Sequence, residues 1–462
     1  MRILLAIVLL FTMFSCSLTN THADLTHDKP LLDFIFSDNV VLQKNQPINF
    51  WGWTDAKQKV EITFDNKVYN VTSNKSGKWT IEIPATIEGS FVLKVTSQEA
   101  EIVVNNIVLG DVWICAGQSN MRWPLSKSMS YNEVLSNCCS SFRYKKIDKA
   151  ISDQKVETLS EKNTKNWWVP NSDNCGTISG VAYHFAEQLL KSQSTPLGIL
   201  DITYPDSRIE AWLEKTTHIT NPTIKSYNNP GVIYNAMVAP LQDFPVTGIV
   251  WYQGESNNLD SLDSYDYRIK LNELITNYKK YWGENLRVVI IKLPNYESLP
   301  VDGNTNWAIL RESQASVANL EGVVTVSTLD LGETDILHPK DKKNVGHRAA
   351  LAAQSLAESR ENLCSGPIYS GYQIVDNKMS IAFTNIGEAL VARGESIEFN
   401  LIESNGTRRR IRGIIENNKI IINLPNIDAI HEILYAWENN PTHLAIYNQA
   451  GYPASSFRIQ IK

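Results

Sequence analysis

Val112-Trp113-Ile114-Cys115-Ala116-Gly117-Gln118-Ser119-Asn120-Met121 joins an apolar run to a bend and then to a polar segment. Consecutive apolar residues with a turn signal behind them read as a short buried strand. Gly117 lets the backbone bend sharply, so the side chains that follow stand clear of the sheet. A hydroxyl raised at the carboxyl end of a strand is how many α/β hydrolytic enzymes display a nucleophile, which makes Ser119 the first candidate for chemistry. The competing reading is a serine that caps a helix or satisfies a turn, as serine favours both. The rest of the chain decides between them.

From Val112 onward, strand-like runs alternate with amphipathic stretches. The candidate strands are Val112 to Cys115, Leu197 to Thr203, Gly248 to Tyr252, Arg287 to Leu293 and Val323 to Thr328. Between them lie Gly180 to Lys191, where Val181, Phe185 and Leu189 recur at helical spacing, and Tyr265 to Tyr281. This alternation predicts an α/β fold with a mostly parallel sheet wrapped by helices, over residues 108–362. Residues 31–107 instead alternate apolar and polar, as in Val60-Glu61-Ile62-Thr63-Phe64, which predicts an N-terminal β-sandwich with Trp51, Trp53 and Trp79 in its core. Residues 363–462 return to β patterning and predict a C-terminal β region.

The chain carries a formal net charge of -6 and no basic stripe, which excludes a nucleic-acid partner. Its densest basic cluster, Arg408-Arg409-Arg410, reads as a solvated strand edge or loop. Met1-Arg2 followed by Ile3 to Phe14 has the charged start and short apolar stretch of a signal peptide, taken as residues 1–23. Two processing routes follow: cleavage after Ala23, or a lipid anchor at Cys16. Either way the protein is exported, to the periplasm, the cell surface as a lipoprotein, or the medium. No later run approaches the length of a transmembrane span. A bridge from Cys175 to Cys138 or Cys139 suits such a compartment, with connectivity left open by spacing. No CxxC or HExxH pattern occurs, so no metal site is expected, and no cofactor.

Sites in open α/β sheets lie outside the carboxyl ends of the strands. Four of the candidate strands lead there into polar loops: Ser119-Asn120, Pro205-Asp206-Ser207-Arg208, Gln253-Gly254-Glu255-Ser256-Asn257, and Asp335-Ile336-Leu337-His338-Pro339. A serine hydroxyl needs a base. Of the eight histidines, His22 and His27 lie at the processed terminus, His184 and His347 inside helices, His218 in a connecting stretch, and His431 and His443 in the β tail. His338 alone occupies a strand-end loop. Asp335 is placed to orient its other ring nitrogen. Oxyanion donors are sought in the backbone N–H groups of Ser119 and Gly254 and the amide of Asn257. Gln118, Gln253 and Glu255 complete the candidate site, with Glu255 read as a buried carboxylate that holds loops together.

These residues carry a resemblance. Gly110-Asp111-Val112-Trp113-Ile114-Cys115-Ala116-Gly117-Gln118-Ser119-Asn120-Met121, Trp251-Tyr252-Gln253-Gly254-Glu255-Ser256-Asn257 and the His338-Pro339 loop are similar to the sialate O-acetylesterase family of SGNH-type hydrolases. Phe36-Ser37-Asp38-Asn39-Val40-Val41-Leu42-Gln43, Trp51-Gly52-Trp53, Tyr234-Asn235-Ala236-Met237 and Tyr435-Ala436-Trp437 through Pro453-Ala454-Ser455 extend it along nearly the whole chain. The resemblance implies a three-layer α/β/α catalytic domain and a metal-independent serine esterase that removes O-acetyl groups from sugars, typically sialic acid. It implies Ser119 as nucleophile, His338 as base, and Gly254 with Asn257 at the oxyanion. The chain departs from the family in two places. Pro205-Asp206 replaces a glycine-rich turn, offering no N–H at the proline and an opposing charge at the aspartate. Ile336 stands where many relatives place the acid, two residues before the histidine.

The expected function is therefore a carbohydrate O-acetylesterase acting on an O-acetylated sugar or glycan. The alternatives are an esterase of other acetylated polysaccharides such as xylan, or a glycan-binding homologue with weakened catalysis. A glycosidase using Glu255 and Asp206 as paired carboxylates ranks last.

Overall fold

The computed structural model describes residues 29–84, 89–138, 140–215, 225–297, 305–394 and 396–461. The expected signal segment with Cys16, as well as His22, His27, Cys139 and His218, lies outside the described residues. Six parallel strands form the centre, in the spatial order Phe142–Lys146, Leu197–Thr203, Glu101–Gly117, Gly248–Tyr252, Arg287–Ile291, Val323–Val326. Leu197–Thr203 and Gly248–Tyr252 are buried at every residue, as strands covered on both faces must be. The chain leaves the middle strand, Glu101–Gly117, toward one side of the sheet and later returns to build the other side, so its carboxyl end is the topological switch point. The helices Gly180–Leu189 and Lys342–Ala357 pack together, as do Ser261–Trp282 and Asn306–Ala315.

The sequence places a strand at Val112 to Cys115, but this segment is only the end of a strand of 17 residues, Glu101–Gly117. Its first part pairs antiparallel with Ser90–Thr96, and its last part pairs parallel with Leu197–Thr203 and Gly248–Tyr252. The N-terminal β strands and the parallel sheet thus share one ladder and one continuous hydrophobic core. Trp51, Trp53 and Trp79 are buried in that core.

The strand Phe142–Lys146 has no apolar run to announce it. Its Lys145 is fully buried and donates from Nζ to the carbonyls of Phe34 and Lys165, both at 2.8 Å. Burial pushes this lysine down to about 7.

Residues beyond the last helix form a seven-stranded antiparallel sheet with its own core, including Met379, Ile381, Phe399 and Ile422. Arg408, Arg409 and Arg410 lie on its strand Arg408–Glu416, where Glu438, Glu403 and Glu398 partner them at 3.0, 2.8 and 3.6 Å. The basic cluster is a solvated, charge-balanced sheet face. Cys115, Cys175 and Cys364 are free cysteines. The bridge anticipated at Cys175 is therefore absent among the described residues; Cys175 is buried in the core instead. No helix among the described residues is long and apolar enough to cross a membrane.

Candidate functional site

Thr203, Gly117 and Tyr252 stand in one row across three neighbouring strands, so their loops leave a common edge. Gly117 has φ +136, and a Cβ on it would sit 2.0 Å from the Tyr252 carbonyl oxygen. Only glycine can make this bend between two other strands. Around it, Gln118 N–H donates to Tyr252 O at 3.1 Å and Tyr204 N–H to Gly117 O at 2.9 Å. Ser119 then opens a one-turn helix, Ser119–Arg122, whose Arg122 Nη1 donates to Thr203 O at 3.2 Å. Its hydroxyl is buried and has no hydrogen-bond partner among the described residues.

His338 lies on the loop between Val323–Val326 and Lys342–Ala357, with its ring stacked on Trp123 at a centroid distance of 4.8 Å and an interplanar angle of 19°. Its Nε2 is also buried without a partner. Buried polar atoms are normally satisfied, so two orphans on neighbouring loops mark a place built for something else to enter. Asn120, next to Ser119, donates to the carbonyl of Leu337, next to His338, at 3.0 Å. The direct Ser119 Oγ to His338 Nε2 bond is not formed; catalytic hydrogen bonds of this kind commonly tighten only in the substrate complex. Burial and the positive charges of Lys342 and Lys127 hold His338 below the ordinary imidazole value, against the opposing pull of Asp206.

Asn120 is the hub that the sequence pattern did not reveal. Its amide also donates to Glu255 Oε1 at 2.6 Å, and its oxygen accepts from Lys342 Nζ at 2.6 Å. Burial drives the two charged ends of this chain toward neutrality, raising Glu255 to about 7 and lowering Lys342 to about 7. Through this bond Glu255 links its own loop to that of Ser119. Lys342 carried no signal, since a lysine opening a helix looks like any surface lysine; here it is buried.

Three other anticipated residues have the following surroundings. Asn257 is fully buried: Nδ2 donates one of its two hydrogens to Glu210 Oε2 at 2.9 Å, while Oδ1 accepts from Ile209 N at 3.0 Å and Gln253 Nε2 at 3.0 Å. It braces two loops. The Gly254 N–H lies near the Glu255 carboxylate, whose Oε2 is buried without a hydrogen-bond partner among the described residues. Asp335 is exposed and forms no hydrogen bond or ion pair with His338 among the described residues; the imidazole is held by the Trp123 face instead. Asp335→Asn is thus expected to change kcat by less than about threefold, roughly 0.6 kcal/mol. A drop of about a hundredfold in steady-state hydrolysis would mean that the loop closes and brings the carboxylate to the ring.

Gln253, fully buried, donates from Nε2 to Gln118 Oε1 at 3.1 Å, Ser207 O at 2.9 Å and Asn257 Oδ1 at 3.0 Å, tying all three loops together. Beneath it lies a buried ionic cluster. Arg208 Nη2 is 3.0 Å from Glu210 Oε1 and 2.8 Å from Asp263 Oδ1, and Lys270 Nζ is 2.7 and 3.2 Å from the same two atoms. Burial alone would raise Glu210, but the charges of Arg208 and Lys270 outweigh it and hold this carboxyl below its usual range. In the unusual turn, Asp206 takes φ +58 and leaves its side chain exposed, 3.9 Å from Lys225 Nζ. Its charge acts on His338, strengthening the base, while Ser207 Oγ donates inward to Tyr204 O at 2.7 Å.

A mostly parallel open sheet followed by an antiparallel β region is the mixed α/β architecture of a carbohydrate esterase. Residues 109–356 match the family described as carbohydrate esterase, sialic acid-specific acetylesterase, and the chain belongs to that family. It is a carbohydrate O-acetylesterase, a carboxylic ester hydrolase. It is similar to the sialate O-acetylesterase of Homo sapiens, 25% identical over 413 residues covering 79% of this chain and 78% of that one. The Mus musculus sialate O-acetylesterase is 24% identical over 409 residues, covering 72% and 75%. Among solved structures, a carbohydrate acetylesterase from Xanthomonas citri superposes with a TM-score of 0.86 at 30% identity, covering 93% of this chain and 99% of that one.

Proposed function

We propose that this chain removes O-acetyl groups from sialic acid, with Ser119 as nucleophile and His338 as its base. The observation that carries the chemistry is the pair of buried, unpartnered atoms, Ser119 Oγ and His338 Nε2, on loops joined by Asn120. Ser119 Oγ attacks the acetyl carbonyl carbon as His338 Nε2 takes the hydroxyl proton. The tetrahedral intermediate collapses, His338 returns that proton to the departing sugar oxygen, and an acetyl-serine remains. Water, deprotonated by the same nitrogen, then attacks the acetyl carbon, and Ser119 leaves with the proton, releasing acetate. The Ser119 and Gly254 backbone N–H groups and the second hydrogen of the Asn257 amide make up the anticipated oxyanion donor set.

Around this chemistry we read an SGNH-type three-layer domain over 108–362, joined without a seam through Glu101–Gly117 to the β strands of 31–107 and followed by the 363–462 β region. We read an exported protein, with the signal ending at Ala23 or a lipid on Cys16.

A second substrate reading, an acetylated carbohydrate other than sialic acid such as xylan, draws on the similarity to the Xanthomonas citri carbohydrate acetylesterase. Acetate release from 9-O-acetylated sialic acid and from acetylated xylan, measured side by side, tests the choice. The sialate reading requires kcat/KM at least about tenfold higher on the sialoside, a difference of roughly 1.4 kcal/mol. Because burial and the nearby lysines hold His338 below the ordinary imidazole value, its neutral, base-competent form persists to lower pH than a free imidazole allows. The acid limb of the kcat/KM profile is accordingly expected below that value, and a limb above it would contradict His338 as the base.

A further inference from the structure

Gly346 sets a close crossing of two helices, away from Ser119. A Cβ there would lie 2.6 Å from Val181 O and 2.8 Å from His184 Cβ, so only glycine lets Lys342–Ala357 press this tightly on Gly180–Leu189. The crossing sets His347 beside His184 and Glu187. Glu187 Oε2 stands 2.9 Å from His184 Nδ1 and 3.3 Å from His347 Nε2. The three side chains offer donor atoms that all lie within 4.8 Å of one another.

We propose that His184, Glu187 and His347 bind one divalent transition-metal ion, Zn2+ first among them, which clamps the two helices together. Zinc held at about 2.0–2.1 Å in a tetrahedron separates its ligand atoms by about 3.4 Å, and the two carboxylate-to-imidazole spacings are already near that. The donor set is one carboxylate and two imidazoles, which suits zinc and its neighbours rather than calcium or magnesium. Burial lowers the proton affinity of His184, and the two histidines hold Glu187 below the usual carboxylate range against its own burial. The remaining nitrogen of His184, Nε2, lies 2.7 Å from Ser130 Oγ. Donating its proton there leaves the Nδ1 lone pair for the ion, the outer-shell support that metal-binding histidines usually have. Lys343 is the neighbouring cation, and Glu133 holds it at 2.6 and 2.8 Å. His347 and Glu187 are partly exposed, which gives an ion a way in from solvent and leaves a ligand position for water. The ion does no chemistry on the ester; it stiffens the helix that follows the His338 loop.

The test uses the full chain, stripped with a chelator and titrated with Zn2+ by calorimetry, with Co2+ titrated in parallel for its visible absorption. One ion per chain is expected, with a rise in Tm. Affinity should fall about 100-fold in His347→Ala and about tenfold in Ser130→Ala, and stay unchanged in Ser119→Ala. Circular dichroism checks that the variants fold, and Glu187→Gln replaces His347→Ala should the latter not. Absence of saturable binding at one ion per chain, or equal affinity in the ligand variants, would overturn the site. Neither result bears on ester hydrolysis at Ser119.

Discussion

Ser119→Ala is expected to lower kcat for acetyl-ester hydrolysis by about 10⁴-fold or more while leaving the fold intact. The second half of that expectation follows from the structure. The hydroxyl makes no hydrogen bond, so deleting it breaks none and removes an unsatisfied buried oxygen. Tm should therefore hold or rise slightly. The loss should appear in kcat, because the oxygen forms its bond only after substrate arrives. His338→Ala should cost a comparable factor, and the double variant little more than either alone, since nucleophile and base act as one unit. The measurement is acetate release under single turnover with 4-nitrophenyl acetate and with O-acetylated sialic acid. Activity within about tenfold of wild type in Ser119→Ala would place the nucleophile elsewhere. Glycan binding without turnover by the wild type would instead favour the binding-protein reading.

Lys270→Met is expected to destabilise the fold by about 3–5 kcal/mol. Arg208, Glu210, Asp263 and Lys270 all have side chains no more than 5% exposed, and their two positive and two negative charges balance. Removing the ammonium leaves an excess negative charge where water cannot solvate it. Adding Glu210→Gln to that background removes the excess and should recover part of the loss. Urea unfolding followed by tryptophan fluorescence reads both effects, and a loss under about 1 kcal/mol for Lys270→Met would show that solvent reaches the cluster. Since the folded pKa of Glu210 is depressed, its contribution is present above its unfolded value and is lost as pH falls through the folded one. Activity should decline with stability here, because Glu210 also holds Asn257 and thereby the loop behind Ser119.

What could be read from the sequence follows the distance over which each feature is determined. Leu197–Thr203 and Gly248–Tyr252 form as expected because an apolar run buried on both faces is a local signal. The proposed pair, Ser119 and His338, was read from positions at strand ends, which the same runs fix. Phe142–Lys146 was illegible because its buried lysine is satisfied by carbonyls that only the fold supplies. Asn257 resembled a free amide next to a nucleophile; its partner, Glu210, is 47 residues away in sequence, and no spacing rule pairs them. Asp335 illustrates the converse. Three residues before a histidine is a distance that permits contact, but whether the loop turns the carboxylate inward depends on what else claims the ring, and Trp123 already does.

The strand Glu101–Gly117 makes the N-terminal region something other than an appendage. Its early residues are zipped to Ser90–Thr96, and its last one forms the bend that exposes Ser119, so no seam falls between them. Recombination that exchanged the first hundred residues as a cassette would cut through a ladder and halve a core. Such a front end can diverge residue by residue but cannot be shuffled, and it is inherited together with the serine loop it supports.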